Sequence, residues 1–321
     1  MILRSFASNQ PYALVFAVGV VFAAYTIPDS STILFAKAGY SSENLISCGN
    51  TLGVFVCIAL ILTAGLLANR LFNQNEFMNT PVYTPALMYM ILMTTLGMTQ
   101  THMSTAASNI MVIMGLSYQI KIFKQPSIAH EIVLSGFFYG LATLIIPSQL
   151  TLLPALIIGT LINRPFHLRE ITLAILSFSM PFGYWGAISY LFNEAPDYVL
   201  VHKTLTLDHI TYLKQLSWVL KLFLLLLFLS LIFGFRQFAH SDKNSNKAKS
   251  ARTVTILIAL SLLGSFVLNF YLTGHWLLQT MAFPVSFIIA YWFAYYRHSV
   301  IAPLFFYAIC IVSFVLSFRL I

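Results

Sequence analysis

Long apolar stretches recur along the whole chain, and this repetition limits the fold more than any other feature. A helix needs about 20 apolar residues to cross the hydrocarbon core of a bilayer. Charged residues make up only 8% of the 321 residues, too few to cover a globular surface. We therefore predict an all-α, polytopic transmembrane helical bundle with about 11 spans. The predicted spans lie near residues 11–27, 51–69, 84–102, 106–123, 130–147, 149–163, 171–192, 216–235, 253–272, 276–296 and 299–318.

The region 130–163 leaves an alternative open, so that the count is 10 or 11. The segment "IIPSQLTLLP" places Pro147 and Pro154 between two apolar stretches. A proline is tolerated near the end of a helix, where it removes no internal hydrogen bond. The pattern fits either two full spans joined by a tight outer turn or a re-entrant hairpin.

The distribution of basic residues predicts the orientation. Lys and Arg concentrate in the cytoplasmic loops of membrane proteins. With a cytoplasmic N-terminus, 12 of the 17 Lys and Arg fall inside, and the alternation is kept through the middle of the chain. The inside residues are Arg4, Arg70, Lys121, Lys124, Arg164, Arg169, Arg236, Lys243, Lys247, Lys249, Arg252 and Arg297.

Two polar segments interrupt the apolar pattern. Residues 28–50 form a first outer loop that is too long for a turn, and its helix-like apolar spacing predicts short interfacial helices. The segment "RQFAHSDKNSNKAKSAR", residues 236–252, is basic and of low complexity, which predicts a flexible cytoplasmic loop. This loop would separate an eight-span membrane core, residues 1–235, from a three-span C-terminal part, residues 253–321.

Several classes of function find no support in the sequence. There is no phosphate-binding Gly-rich motif, no nucleophile elbow and no zinc-protease motif. Cys48, Cys57 and Cys310 lack the spacing of a metal site and are expected to be packing residues. We predict no metal site, find no evident cofactor and expect the lipid bilayer rather than nucleic acid as the partner of the basic chain.

Ionisable residues that are candidates for chemistry lie mostly in the outer loops. The loop of residues 193–215 combines carboxylates with histidines and lysines. Such a mixture is suited to holding a phosphate while a base deprotonates an acceptor, and it is equally suited to a solvated surface. His102 lies at the outer end of the third stretch. The candidate substrate-binding residues are Lys37, His102, Glu194, Asp197, His202, Lys203, Asp208 and His209.

Residues 136–192 carry a distinctive pattern. A G-x-A-x-L segment and a proline break precede an apolar span, the motif R-P-F-x-x-R-E and a further span. In this the chain resembles an uncharacterised family of polytopic inner-membrane proteins from Bacteroidota. The resemblance implies the inner membrane of a Gram-negative cell, and it implies no mechanism. Taken alone, the motif predicts a structural hairpin and topology anchor. Its residues are Arg164, Pro165, Phe166, Arg169 and Glu170.

Asp29 is the first carboxylate of the chain and directly follows the first predicted span. In this position, and in its long first outer loop, the chain resembles the C-type integral-membrane glycosyltransferases, which use polyprenyl-phosphate sugars. The resemblance implies that Asp29 either acts as general base toward an acceptor hydroxyl or orients the metal or the acceptor. It assigns the donor phosphate to Lys37, His202, Lys203 and His209. The alternative is that Asp29 caps an interfacial helix, since Asp before Ser-Ser is typical of a helix start.

Three functions follow from these observations. The first is an inner-membrane protein of cell-envelope biogenesis that acts like a glycosyltransferase, active or degenerate, on lipid-linked sugars at the outer face. The second is a non-catalytic membrane subunit that scaffolds an envelope or secretion complex with a protein partner. The third is a transporter or flippase, which would need a pathway lined by polar residues such as Ser104, Thr105, Ser108 and Asn109.

Overall fold

The structure is a computed structural model of the chain. The residues that it describes are Val15, Val18, Gly19, Val21 and the ranges 51–78, 80–96, 102–123, 128–163, 167–192, 218–240, 246–273, 278–296 and 301–318. Of these residues 93% are helical and none forms a strand. The predicted all-α class is therefore confirmed for this part of the chain.

Ten α-helices and two short 3₁₀ helices make up the described ranges from residue 51 onward. The first five α-helices are α1 (Thr51–Gln74), α2 (Thr84–Leu96), α3 (His102–Lys121), α4 (Ala129–Ile145) and α5 (Leu152–Asn163). The next five are α6 (Leu168–Leu191), α7 (Trp218–His240), α8 (Asn246–Thr273), α9 (Ala282–Tyr295) and α10 (Ile301–Phe318). The 3₁₀ turns Pro147–Thr151 and Leu278–Met281 lead directly into α5 and α9.

Five of the described helical segments are long and apolar enough to cross a membrane, judged by length and composition. These segments are Phe55–Gln74, Leu168–Leu191, Trp218–Phe238, Asn246–Asn269 and Leu278–Tyr295. Four shorter apolar helical segments accompany them. The count of 11 spans and the cytoplasmic N-terminus stay predictions, as do the interfacial helices of residues 28–50, which lie outside the described ranges.

Helices occupy most of the segment 236–252, which the sequence predicts as a flexible loop. Helix α7 continues to His240, and α8 already begins at Asn246. Arg252 is only 4% exposed: its guanidinium lies 5.6 Å from the ring centre of Tyr291 and donates to the Phe238 carbonyl at 3.4 Å. Ala, Lys and Arg are strong helix formers, so a basic, low-complexity composition is compatible with a helix that extends beyond its apolar part.

Helix α9 lies at the centre of the hydrophobic core. Every residue from Ala282 to Ala294 is buried. The helix packs against α2 and α7, and the ring of Phe287 meets that of Phe72 of α1 with centres 5.3 Å apart. The C-terminal helices therefore share one core with the N-terminal ones.

Helices α4 and α5 form an antiparallel hairpin around the turn Pro147–Thr151. Gln119 of α3 contacts both arms, because Tyr139 donates to its Oε1 and its Nε2 donates to the carbonyls of Ala155 and Leu156. Their helical rises give arms of about 26 Å for α4 and about 28 Å for α5 with its turn. Both lengths approach the roughly 30 Å of a hydrocarbon core.

Candidate functional site

The two 3₁₀ turns repeat one short sequence pattern. A glutamine is followed five residues later by a proline, as Gln149 and Pro154 in the first turn and as Gln279 and Pro284 in the second. In both cases the proline is the third residue of the α-helix that follows the turn. The first turns of an α-helix carry N–H groups without internal partners, so a proline there costs little.

The first 3₁₀ turn begins at the end of α4. Before the first turn, Ile146 has extended backbone angles of φ −130° and ψ 97°, which end α4. The glutamine of each turn is buried: Gln149 is 0% exposed and Gln279 is 2% exposed. The polar groups of a buried turn must find their hydrogen-bond partners within the protein.

Both glutamines face the first half of α3. The hydroxyl of Thr105 donates to Gln279 Oε1 at 2.7 Å, and Asn109 Nδ2 donates to the Gln279 carbonyl at 3.1 Å. The 3₁₀ turn Leu278–Met281 is therefore bonded to α3 through both its glutamine side chain and its main chain.

The 3₁₀ turn Pro147–Thr151 is bonded to the same turn of α3. Ser108 donates to Gln149 Oε1 at 2.7 Å, and Thr143 of α4 donates to the Gln149 carbonyl at 3.2 Å. Thr105, Ser108 and Asn109 are each at most 1% exposed. We call the set Thr105, Ser108, Asn109, Gln149 and Gln279 the glutamine layer.

Two buried atoms of the glutamine layer have no hydrogen-bond partner. They are Asn109 Oδ1, which is an acceptor, and Gln149 Nε2, which is a donor. Leaving a buried polar group unpaired costs about 1–3 kcal/mol. Since one atom accepts and the other donates, the pair is suited to a group that does both, such as a hydroxyl or an amide.

A second polar set lies toward the other end of α3. Gln119 accepts from Tyr139 at 2.7 Å, and Asn163 Nδ2 donates to the Gln119 carbonyl at 3.0 Å. The Ser250 hydroxyl of α8 donates in turn to Asn163 Oδ1. We call Gln119, Tyr139, Asn163 and Ser250 the Gln119 layer.

Packed apolar side chains separate the two layers. Val112 and Leu116 are fully buried on α3 between Asn109 and Gln119. The ring of Tyr139 lies directly on Gly115, where an added Cβ would collide with the ring. Asn109 and Gln119 are about 15 Å apart along the helix axis. Helix α3 therefore carries one polar layer toward each end, with packed apolar residues between them.

Most of the residues that the sequence proposed for chemistry lie outside the described ranges. This holds for Asp29 and for the loop of residues 193–215. His102 is the first residue of α3, three residues before Thr105. The proposed residues outside the described ranges are Asp29, Lys37, Glu194, Asp197, His202, Lys203, Asp208 and His209.

The R-P-F-x-x-R-E motif lies at the junction of α5 and α6. Arg164, Pro165 and Phe166 are outside the described ranges. Arg169 is exposed in the first turn of α6, and Glu170 lies in the same turn, where the helix dipole favours a carboxylate. The predicted roles of the motif, a structural hairpin and a topology anchor, stay predictions.

No family of known proteins, no curated protein and no solved structure matches the chain at a significant level. The resemblances to the Bacteroidota family and to C-type glycosyltransferases therefore stay predictions. Within the described ranges no three His, Cys, Asp or Glu side chains come close enough to hold a metal ion.

The sequence reasoning named Thr105, Ser108 and Asn109 but missed their partners. Gln149 and Gln279 were each treated as part of an apolar stretch. The signal that marks them is the repeated Q-x-x-x-x-P spacing, which is too short to be found in a search for long internal repeats. Tyr139 and Asn163 gave no such signal, because only the folding of the hairpin brings them to Gln119.

Proposed function

We propose that this protein is a membrane transporter or flippase that binds a neutral, polar group of its substrate in the glutamine layer. The observation that carries the proposal is the convergence of Gln149 and Gln279, from two buried 3₁₀ turns, on Thr105, Ser108 and Asn109 of α3. The unpaired acceptor and donor of Asn109 and Gln149 supply two further hydrogen bonds for a ligand.

The chemistry of the layers favours an uncharged ligand group. Neither layer contains a residue that is charged at neutral pH, and an anionic phosphate would call for Arg or Lys. Amides and hydroxyls in this number suit a sugar hydroxyl or an amide. The Gln119 layer has the same uncharged chemistry about 15 Å further along α3, but both ends of its glutamine side chain are already paired.

The proposal places the transporter in the inner membrane and gives it a part in cell-envelope biogenesis. The outer-face transferase centred on Asp29 stays a separate prediction, because its residues lie outside the described ranges. A scaffold without a ligand is the third possibility, and the following experiment separates all three.

The deciding experiment is complementation of a deletion strain with the double variant S108A/Q149M. Replacing both partners of a buried hydrogen bond by apolar groups of similar shape is close to neutral for stability. We therefore expect normal protein level and an unfolding temperature close to that of the wild type, with loss of complementation. Envelope glycolipids and lipid-linked sugars are profiled in the same strains.

The matched control is S148A/S265A, which removes another buried hydrogen bond, at 3.0 Å, from the same turn but outside the glutamine layer. It should complement like the wild type. Full complementation by S108A/Q149M would refute a binding role for the layer. If D29N alone abolishes complementation while S108A/Q149M does not, the transferase prediction gains instead, and if neither does, the scaffold is favoured.

A further inference from the structure

A polar stripe lies along one face of α4. Glu131, Ser135 and Tyr139 follow one another at intervals of four residues, which places them on the same side of the helix. Tyr139 belongs to the Gln119 layer, whereas Glu131 lies in the first turn of α4. Ser135 is 0% exposed, and Glu131 is partly buried. The stripe therefore begins near the surface and ends in the packed interior.

Two oxygen atoms of this stripe have no hydrogen-bond partner. They are Glu131 Oε2 and Ser135 Oγ, and both are buried. Side chains of a helix lean toward its N-terminus, so Ser135 leans toward the turn that carries Glu131. The Ser135 hydroxyl stands beside the hydroxyl of Tyr139 but makes no hydrogen bond with it, and Tyr139 donates to Gln119 instead. Two unpaired oxygens therefore lie one helical turn apart on the same face.

In the described part of the chain, no basic side chain bonds to Glu131 Oε2. Lys121 of α3 places its Nζ over the ring of Tyr118, 4.7 Å from the ring centre. On α6, which packs against α4, Arg169 is exposed and Glu170 adds a second carboxylate to the first turn. A buried charge is costly unless it is paired or coordinates a metal ion. The carboxylate of Glu131 therefore calls for a cation from solution.

We propose that Glu131 Oε2 and Ser135 Oγ bind a sodium ion, with water completing its coordination. Both unpaired atoms are oxygens, and oxygen is the ligand that hard cations take. A single carboxylate balances one positive charge, which suits a monovalent ion. A softer transition metal would call for nitrogen or sulfur ligands. Sodium is favoured over potassium because the smaller ion fits more readily beside a fully buried serine.

The ion has a structural role in this proposal and is not itself transported. It neutralises the carboxylate at the beginning of α4 and gives the Ser135 hydroxyl a partner. The inference does not rest on the proposed function, because no residue of the glutamine layer takes part. It departs from the sequence-based prediction of no metal site, since a single glutamate and a serine form no metal-binding motif.

Thermal unfolding of the purified full-length protein in detergent tests this proposal. Sodium chloride is compared with choline chloride at equal ionic strength and pH. An ion that binds only the folded state raises the unfolding temperature, so we expect sodium to raise that of the wild type by about 2 °C or more. Potassium chloride should raise it less. Glu131→Gln and Ser135→Ala should both lose the response to sodium.

Glu170→Gln and Ser177→Ala are the matched controls, because they remove a carboxylate and a buried hydroxyl from α6, the helix beside α4. Both should keep the response to sodium. In choline chloride, Ser135→Ala should unfold at a temperature no lower than the wild type, since it removes a buried hydroxyl that has no partner. This comparison separates loss of the ion from loss of the fold.

Equal unfolding temperatures of the wild type in sodium and in choline would overturn the inference. It is also overturned if Glu131→Gln and Ser135→Ala both keep the response, because the ion would then bind elsewhere. An equal response to potassium overturns the assignment to sodium. S108A/Q149M should keep the response to sodium, so that complementation tests the proposed function separately from this site.

Discussion

At the scale of single residues, the amides and hydroxyls of the core decide what this protein can bind. Gln119 uses both ends of its side chain, since Oε1 accepts from Tyr139 and Nε2 donates to two carbonyls of α5. In the glutamine layer, by contrast, Asn109 and Gln149 each keep one unpaired atom. Both polar ends of the Gln119 side chain are therefore paired, whereas the glutamine layer keeps one acceptor and one donor without a partner.

The first residue-scale prediction concerns Tyr139→Phe. The variant keeps the ring on Gly115 but removes the donor to Gln119 Oε1, which leaves a buried acceptor unpaired. The free energy of unfolding should fall by about 1–3 kcal/mol. Thermal unfolding in detergent measures this, with Tyr118→Phe, the neighbour of Gln119 outside both layers, as the control. An unchanged unfolding temperature in Tyr139→Phe would show that the hydroxyl does not hold the layer together.

At the scale of helices, close approach rather than apolar area determines which elements pair. Helix α4 carries the sequence G-x-x-x-G at Gly136 and Gly140, and both glycines meet α6. A Cβ on Gly136 would collide with the Ser177 hydroxyl, and one on Gly140 with the Phe178 carbonyl. Small residues at this spacing let two membrane helices approach with their backbones in contact.

Gly140→Ala and Gly183→Ala should therefore shift stability in opposite directions. The first methyl group collides with a backbone carbonyl of α6, which cannot move alone, so we expect a lower unfolding temperature by several degrees. The second points into open space on α6 and improves helix propensity by roughly 0.5–1 kcal/mol. If Gly140→Ala unfolded at the temperature of the wild type, α4 and α6 would not pack as closely as described.

The sequence predicted the existence and approximate ends of the helices better than their partners. Apolar length alone placed α10 at 299–318, against the observed Ile301–Phe318. Helices in lipid are apolar on all sides, so the pattern does not reveal which face turns inward. The start of α8 was missed because its basic residues resemble a loop, although Arg252 is buried against Tyr291.

For the candidate site, too, the sequence predicted single residues better than their partners. Thr105, Ser108 and Asn109 stand out as polar residues within an apolar stretch, and sequence reasoning named them. Their partners lie 41 to 174 residues away in the chain, at Gln149 and Gln279. Contacts over such distances depend on the packing of the hairpin and of α9, which no local pattern contains.

At the scale of the whole molecule, the central position of α9 predicts that the chain folds as one unit. A chain that ends after His240 would lack α9 and leave the buried faces of α2 and α7 uncovered. We expect that this fragment does not accumulate when expressed alone. Co-expression with residues 246–321 should restore a folded complex that purifies as one species. Accumulation of the first fragment alone, with a cooperative unfolding transition, would instead support the separate three-span part.

The uncharged character of the two polar layers has an energetic consequence. Moving one elementary charge across a membrane potential of 100 mV involves about 2.3 kcal/mol. A neutral substrate carries no charge across the membrane, and neither polar layer adds one. Its movement would be electroneutral and insensitive to membrane voltage. The net direction would follow the difference in substrate concentration between the two sides of the membrane, so that a reaction that consumes the substrate on the far side would increase the net flow.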